Sequence, residues 1–385
     1  MAGTTTNFAI PYPSITDYVT DGATAMKSIA DKVDDVLFAQ VANNNLLING
    51  AMQVSQRSAV GTAVTGITGI NYYTADRWGT NISSFGTWSQ TTIADAPTGS
   101  GFRNSLKMAC TTINASPAAS AYHFISQKIE GQNLQALRKG TSSAQTLTLS
   151  FWVKSFQTGT FICELSDYPN NRVVSKAYTI TASATWQYVS IAFPADTTGS
   201  ITNDNTTGIE VNFWLGAGTN YSSGTLQTTW ATRTDANRAV GQTNVASSTS
   251  NYWQMTGAQL TIGSAAVPFE FKSFADDLAA CQRYYEKSYT QGVSPATATQ
   301  NGALTHFYNA AYGATSAFQF RVTKRIAPNV VLYAPSTGAA SRVDSIGSGT
   351  STYTLGEIGD SGIRFMIPTT GTNGAVFHYV AESEL

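Results

Sequence analysis

Charge is what this sequence has least of. Asp, Glu, Lys and Arg supply 12% of its 385 residues, against about 25% in an ordinary soluble domain. The formal net charge is −1, and no basic cluster exceeds Lys324 and Arg325. Phosphate binding needs a concentrated positive field, so a nucleic-acid groove is excluded. The surface is left to Ser, Thr, Asn, Gln and Gly, and solubility cannot rest on charge repulsion. Such a surface suits assembled lattices, closed oligomers and modules that present hydroxyls and amides; assembly is the preferred expectation.

Cysteine and histidine are equally thin. Cys110, Cys163 and Cys281 are odd in number and stand at no metal-ligand spacing, which argues against a disulfide framework and for folding in a reducing compartment. His123, His306 and His378 are too dispersed to announce a zinc cluster. No basic segment followed by an apolar run opens the chain, so no secretory signal is expected. No apolar run nears the roughly 20 residues of a membrane helix, so no membrane insertion is expected. P-loop, dinucleotide and Gly-x-Ser-x-Gly signatures are missing, and so is any convincing tandem repeat.

What the chain does have is alternation. From about residue 45 to 270, short runs rich in β-formers are separated by Gly, Asn, Asp and Pro. Strands are predicted at 46–48, 88–93, 105–111, 121–128, 147–155, 160–166, 174–180, 186–193, 209–215 and 252–262. In Leu147-Thr-Leu-Ser-Phe-Trp-Val153, Leu147, Leu149, Phe151 and Val153 share one face. Many short strands in one stretch predict a two-sheet antiparallel sandwich, here a jelly roll. The intervals 195–208 and 218–250 are too polar to supply a core and read as loops, where binding groups gather on a rigid sandwich.

Two helices are predicted. Ser14 with Asp17 forms a capping-box pattern, and Val19, Gly22, Met26, Ile29, Val33 and Val36 then recur every three or four residues. That stripe reads as an anchoring or coiled-coil seam. β-Branched residues in it lean toward a homotrimer; the alternative is an amphipathic helix packed on its own domain. The second helix starts at Ser273, capped against Asp276, and carries Leu278, Cys281, Tyr284 and Tyr285. Six further predicted strands (304–310, 317–322, 330–334, 352–355, 362–367 and 375–380) follow. The expectation is a mainly β chain: an N-terminal arm and amphipathic helix (1–42), a jelly roll (43–271), a helix and linker (272–302) and a smaller C-terminal β-sandwich (303–385).

Candidate chemistry is sparse. Asp76, Asp167, Glu164, Glu210 and Glu270 could furnish a carboxylate pair for glycoside hydrolysis, although most of them read better as surface or salt-bridge groups. Asp196, Asp204 and Asn205 could hold a structural calcium ion. Sugar recognition demands less, an aromatic face beside amides and hydroxyls. Trp88, Tyr168, Tyr221 and Trp230 fall beside turns and are the candidate glycan contacts. No catalytic residue and no cofactor is assigned, and the chain is not expected to be an enzyme.

Three segments carry a family resemblance. They are Asn45-Leu-Leu-Ile-Asn-Gly-Ala-Met-Gln-Val-Ser-Gln-Arg57, Tyr73-Thr-Ala-Asp-Arg-Trp78 and the run from Phe269-Glu-Phe to Cys281-Gln-Arg-Tyr-Tyr285. Together they resemble bacteriophage tail-fibre and receptor-binding virion proteins with a carbohydrate-binding-like jelly-roll domain. The resemblance implies that Asn49, Gly50, Arg57, Asp76, Arg77, Trp78, Arg283 and Tyr284 are architectural. It implies attachment to other virion proteins through the N-terminal arm, and non-catalytic contact with host-surface polysaccharide. A protein made in the host cytoplasm and released within the virion is then expected. The alternatives are a capsid or tail decoration (cement) protein without receptor binding, and a polysaccharide depolymerase.

Overall fold

Alternating residues give each strand an apolar and a polar face, and two sheets bury their apolar faces against each other. The computed structural model describes residues 3–4, 11–12, 18, 22–42, 45–307, 315–347, 349–366 and 374–385. Strands β1 (Gly3–Thr4) and β2 (Pro11–Tyr12) pair with each other, and helix α1 spans Gly22–Ala42. The sandwich follows: β3 (Val64–Ile67), β4 (Asn71–Tyr72), β5 (Gly79–Ser83), β6 (Thr87–Ile93), β7 (Ser105–Thr112), β8 (Tyr122–Glu130), β9 (Leu147–Ser155), β10 (Gly159–Asp167), β11 (Arg172–Ile180), β12 (Gln187–Phe193), β13 (Thr207–Ala217), the short helix α2 (Thr219–Ser222), β14 (Ala231–Thr232) and β15 (Tyr252–Ile262).

One sheet has the order β14-β11-β10-β13-β8-β5-β4 and the other β12-β9-β15-β7-β6-β3. All pairings in them are antiparallel. This is the predicted sandwich of jelly-roll kind. Its core joins Val211, Phe213 and Leu215 of one sheet to Leu149, Phe151 and Val153 of the other. The Phe151 and Phe213 rings meet edge to face at 5.0 Å, a favoured aromatic geometry. Cys110, Cys163 and Cys281 are buried free thiols.

Leu46–Ile48, predicted as a strand, forms bends instead. The reason is the side chain of Asn45, whose Oδ1 accepts from Leu47 N and Leu260 N, both at 3.0 Å, in place of a ladder partner. The second helix is present as α3 (Phe274–Gln282), with Ser273 Oγ accepting from Asp276 N at 3.1 Å. It ends earlier than its apolar spacing suggested. Tyr285 opens β16 (Tyr285–Lys287), which pairs with the last strand.

The C-terminal part contains β17 (Leu304–Phe307), β18 (Thr315–Gln319), β19 (Asn329–Tyr333), β20 (Val343–Ser345), β21 (Gly349–Ser351), β22 (Thr354–Ile358), β23 (Gly362–Met366) and β24 (Gly374–Glu382). β24 pairs with β16, β17, β19 and β20, while β18, β23 and β22 form a second sheet. Phe318, Leu332, Phe365, Phe377 and Tyr379 make its core.

In α1, Met26 is 73% and Val33 39% exposed, and Ile29 is half-buried. Val19, Ser14 and Asp17 lie outside the described residues, as does the side chain of Val36. Among the described residues no helix is long and apolar enough to cross a membrane.

Candidate functional site

β13 lies between β8 and β10 and turns alternate side chains to opposite faces. Ile209, Val211, Phe213 and Leu215 enter the core, which leaves Glu210, Asn212 and Trp214 on the face away from the second sheet. Tyr122 and Phe124 of β8 share that open face, their rings stacked at 5.6 Å. The polar interval 218–250 is folded back over it. Ala239 N donates to Tyr221 O at 2.8 Å and Ile162 N to the Gln242 side chain at 2.9 Å. The result is a hollow of about 540 Å³. Tyr122, Phe124, Trp214, Tyr221 and Tyr168 wall it, with Asn81, Lys128, Glu210, Arg233 and Arg238 among them.

The wall is braced by rings. Phe124 and Trp214 are 5.0 Å apart, Trp214 and Tyr221 5.7 Å, and Tyr122 and Tyr221 meet edge-on at 5.6 Å. Arg238 binds Glu164 through both ends of its guanidinium, at 2.8 and 2.7 Å. The same guanidinium lies 5.1 Å from the Trp214 ring centre and 5.8 Å from that of Tyr221. Asn212 Nδ2 donates to Glu164 Oε1 at 2.8 Å.

Three atoms on this side of β13 are left over. Glu210 Oε2, Asn212 Oδ1 and Trp214 Nε1 are shielded from solvent and have no hydrogen-bond partner. A buried polar group in that state costs about 1–3 kcal/mol. Burial pushes the Glu210 carboxyl above its usual range, against the pull of the Ser126 hydroxyl, the Lys128 ammonium and the Tyr168 hydroxyl. Burial likewise raises the Tyr168 phenol, helped by the neighbouring Glu210.

Tyr168, 44% exposed, stands at the rim of the hollow and Tyr221 in its wall. Trp88, expected as a glycan contact, is placed elsewhere: it is fully buried, its ring 4.2 Å from that of His123. β6 points Trp88, Gln90 and Thr92 inward in alternation, so the turn beside Trp88 does not expose it. Trp230 is half-buried outside the hollow, its indole donating to Pro194 O at 2.9 Å. Tyr122, Phe124, Trp214 and Arg238 were not anticipated as site residues. The available signal was aromatic residues at the outward positions of strands whose inward positions already carry a complete apolar set.

The other candidate carboxylates are occupied. Asp76 accepts from Gln56 N at 2.9 Å, Glu270 from Asn45 N at 2.9 Å, and Asp167 binds the Lys139 ammonium. The residues weighed for a calcium ion are engaged by that same ammonium and by their neighbours. Asp196 lies 2.9 Å from Lys139 Nζ and pairs with Arg172 at 2.8 Å through both of its oxygens, so two cations already neutralise it. Asp204 accepts from Thr206 N and Oγ1, and Asn205 Nδ2 donates to Arg325 O at 2.6 Å. No group of three His, Cys, Asp or Glu among the described residues is placed to hold a metal ion.

The signature residues lie away from the hollow. Asn49, at φ 57°, donates to Val54 O at 2.8 Å and to Asp76 O at 3.0 Å, and Trp78 Nε1 donates to Asn49 O at 3.1 Å. A Cβ on Gly50 would stand 2.0 Å from Ala258 O, so the close approach admits only glycine. Arg57 reaches Glu382 at 2.9 Å and Glu384 at 3.1 Å, and stacks 3.7 Å over Tyr285. Arg77 pairs with Glu384 and lies 3.5 Å over Tyr284. Arg283 grips Glu130 at 2.7 and 2.8 Å. These contacts join the sandwich to the last strand and the chain terminus.

No family model matches the chain, and no curated protein matches it. Solved structures similar to it include the enzymatically active domain of bacteriophage CBA120 tailspike protein 4, at 14% identity and a TM-score of 0.26. That likeness covers 57% of this chain and 21% of the other, so the chain spans about a fifth of the tailspike's length. TmCBM61 in complex with β-1,4-galactotriose is 14% identical over 56% of this chain and 97% of that one, with a TM-score of 0.26. The family 11 carbohydrate-binding module of cellulosomal cellulase Lic26A-Cel5E from Clostridium thermocellum is 12% identical over 52% and 96%, with a TM-score of 0.25.

Proposed function

We propose that this chain is a non-catalytic saccharide-binding component of a phage particle, with the hollow on the seven-stranded sheet as its binding site. The observation that carries the binding reading is the hollow itself, walled by the partly exposed rings of Tyr122, Tyr168 and Tyr221. Ring faces cover the apolar faces of sugars. Hydrolysis would call for a second free carboxylate, and Glu164 is held by Arg238 and Asn212. The test is to mix the full chain with envelope polysaccharide of the host and measure both retention and reducing ends. Retention without new reducing ends is the expected result; release of reducing ends would make the protein a depolymerase.

The exposed Met26 and Val33 of α1 favour a second element of this reading. Three heptads hold an isolated helix poorly in water, so α1 is assigned to a homotrimer seam and to attachment in the particle. Light scattering over a range of concentrations should give a trimer, and deleting residues 1–42 should abolish both trimer and incorporation while the sandwich still folds. A stable full-length monomer would sink the seam. The division at 43, 272 and 303 belongs to the same reading.

A further inference from the structure

The six-stranded sheet has an outer face as well, and a second cleft lies on it. Leu149, Phe151 and Val153 of β9 enter the core, so Ser150 and Trp152 point the other way. Tyr188 of β12 stands directly opposite Trp152 in the ladder, with the two rings 5.4 Å apart. Three phenylalanines line the same cleft and brace one another. Phe102 lies 4.8 Å from Phe269 and 5.0 Å from Phe271, and those two are 5.0 Å apart. A bulge in β15 seats them: a Cβ on Gly257 would stand 2.6 Å from the Phe102 ring. The cleft measures about 330 Å³, inside the range of small-ligand sites, about 300–1,000 Å³.

Its chemistry differs from that of the first hollow. The rings are open at the surface, with Tyr188 46% and Phe271 57% exposed and Trp152 half-buried. Among the described residues no charged side chain lines it, whereas Lys128, Arg233 and Arg238 line the hollow. Trp152 Nε1 and the Tyr188 hydroxyl bond to no other described group, and neither is among the atoms shut off from solvent. A charged ligand would find no counter-charge here. A neutral sugar brings an apolar ring face for stacking and, at its rim, hydroxyls that both accept from an indole and exchange bonds with a phenol. We infer that this face carries a second binding site, for an uncharged saccharide stacked on Trp152 and Tyr188. The inference rests on the saccharide reading of the chain but not on the hollow, which lies on the opposite sheet, and it makes one chain able to hold two lengths of polysaccharide.

The experiment is a calorimetric titration of the full chain with neutral hexasaccharides of glucose, galactose, mannose and xylose, with light scattering of each variant. At least one hexamer should fill two sites per chain. Tyr188→Ala, and Trp152→Phe, which keeps a ring but removes the donor, should each weaken one site about tenfold. Tyr168→Ala, at the rim of the hollow, should weaken the other. Tyr188 is exposed, so its variant guards against a folding defect at Trp152. Binding that Tyr168→Ala abolishes and the Tyr188 and Trp152 variants leave unchanged overturns the second site while the hollow stands. The reverse pattern keeps the second site and overturns the hollow. A changed oligomeric state in Tyr188→Ala with unchanged binding makes the face a contact between copies, and overturns the inference. Binding that no variant moves overturns both placements, and no binding by any hexamer overturns the saccharide reading and this inference together.

Discussion

Asp167 near the end of β10 and Glu210 on the adjacent β13 are buried to the same depth and are treated in opposite ways. Asp167 meets the Lys139 ammonium, which also takes Asp196 at 2.9 Å and the carbonyls of Thr198 and Gly199 at 3.1 and 3.0 Å. Asn170 adds donors at 3.1 and 3.0 Å. Glu210 keeps one oxygen with no partner, next to Asn212 and Trp214 in the same condition. Glu210 and Trp214 also line the hollow.

Removing the cation should break the contrast most severely. Lys139→Met leaves Asp167 and part of Asp196 uncompensated, and stripping one partner from a buried ion pair costs about 3–5 kcal/mol. Urea unfolding should show a loss of that order. A loss below about 1 kcal/mol would mean that the knot is as unfinished as the hollow, and the comparison would fail.

The sequence carried the layers of this molecule further than its site. Leu147 to Val153 and Tyr252 to Ile262 read as strands because their alternation is dictated by burial on one face. Ser273 read as a cap because capping is a contact over three residues. Alternation says that a strand has two faces, not which one the second sheet covers. Trp88 and Trp214 are both fully buried, yet one packs in the core beside His123 and the other behind the hollow. Arg238 finds Glu164 across 74 positions of sequence, and no local pattern announces such a pair. Arg57 and Arg77 find their partners Glu382 and Glu384 at the far end of the chain, which no local pattern announces.

A smaller effect sharpens the same comparison by finishing the open cluster. Burial raises the Glu210 carboxyl in the folded chain, so folding holds its proton more tightly than the unfolded chain does. The stability it contributes is full below the ordinary glutamate value of 4.5 and is lost as pH rises through the higher folded value. Glu210→Gln removes that loss. The variant should match the parent at low pH and exceed it by about 1 kcal/mol near neutrality, measured by thermal unfolding across pH. A variant less stable than the parent at neutral pH would mean that Glu210 is satisfied after all.

The smallest expected effect separates a ring from its hydroxyl. Tyr168 is rim-exposed, and its phenol faces Glu210. Tyr168→Phe keeps the stacking surface and removes one hydroxyl from a carboxylate of which one oxygen already lacks a partner. Stability should fall by about 0.5 kcal/mol, while affinity for a neutral hexasaccharide should stay within about twofold, since the ring carries that contact. A tenfold loss of affinity in the Phe variant would assign the hydroxyl, not the ring, to the ligand. The hollow would then resemble the Lys139 knot, a cluster held by polar contacts, and the contrast between the two would lie in exposure alone.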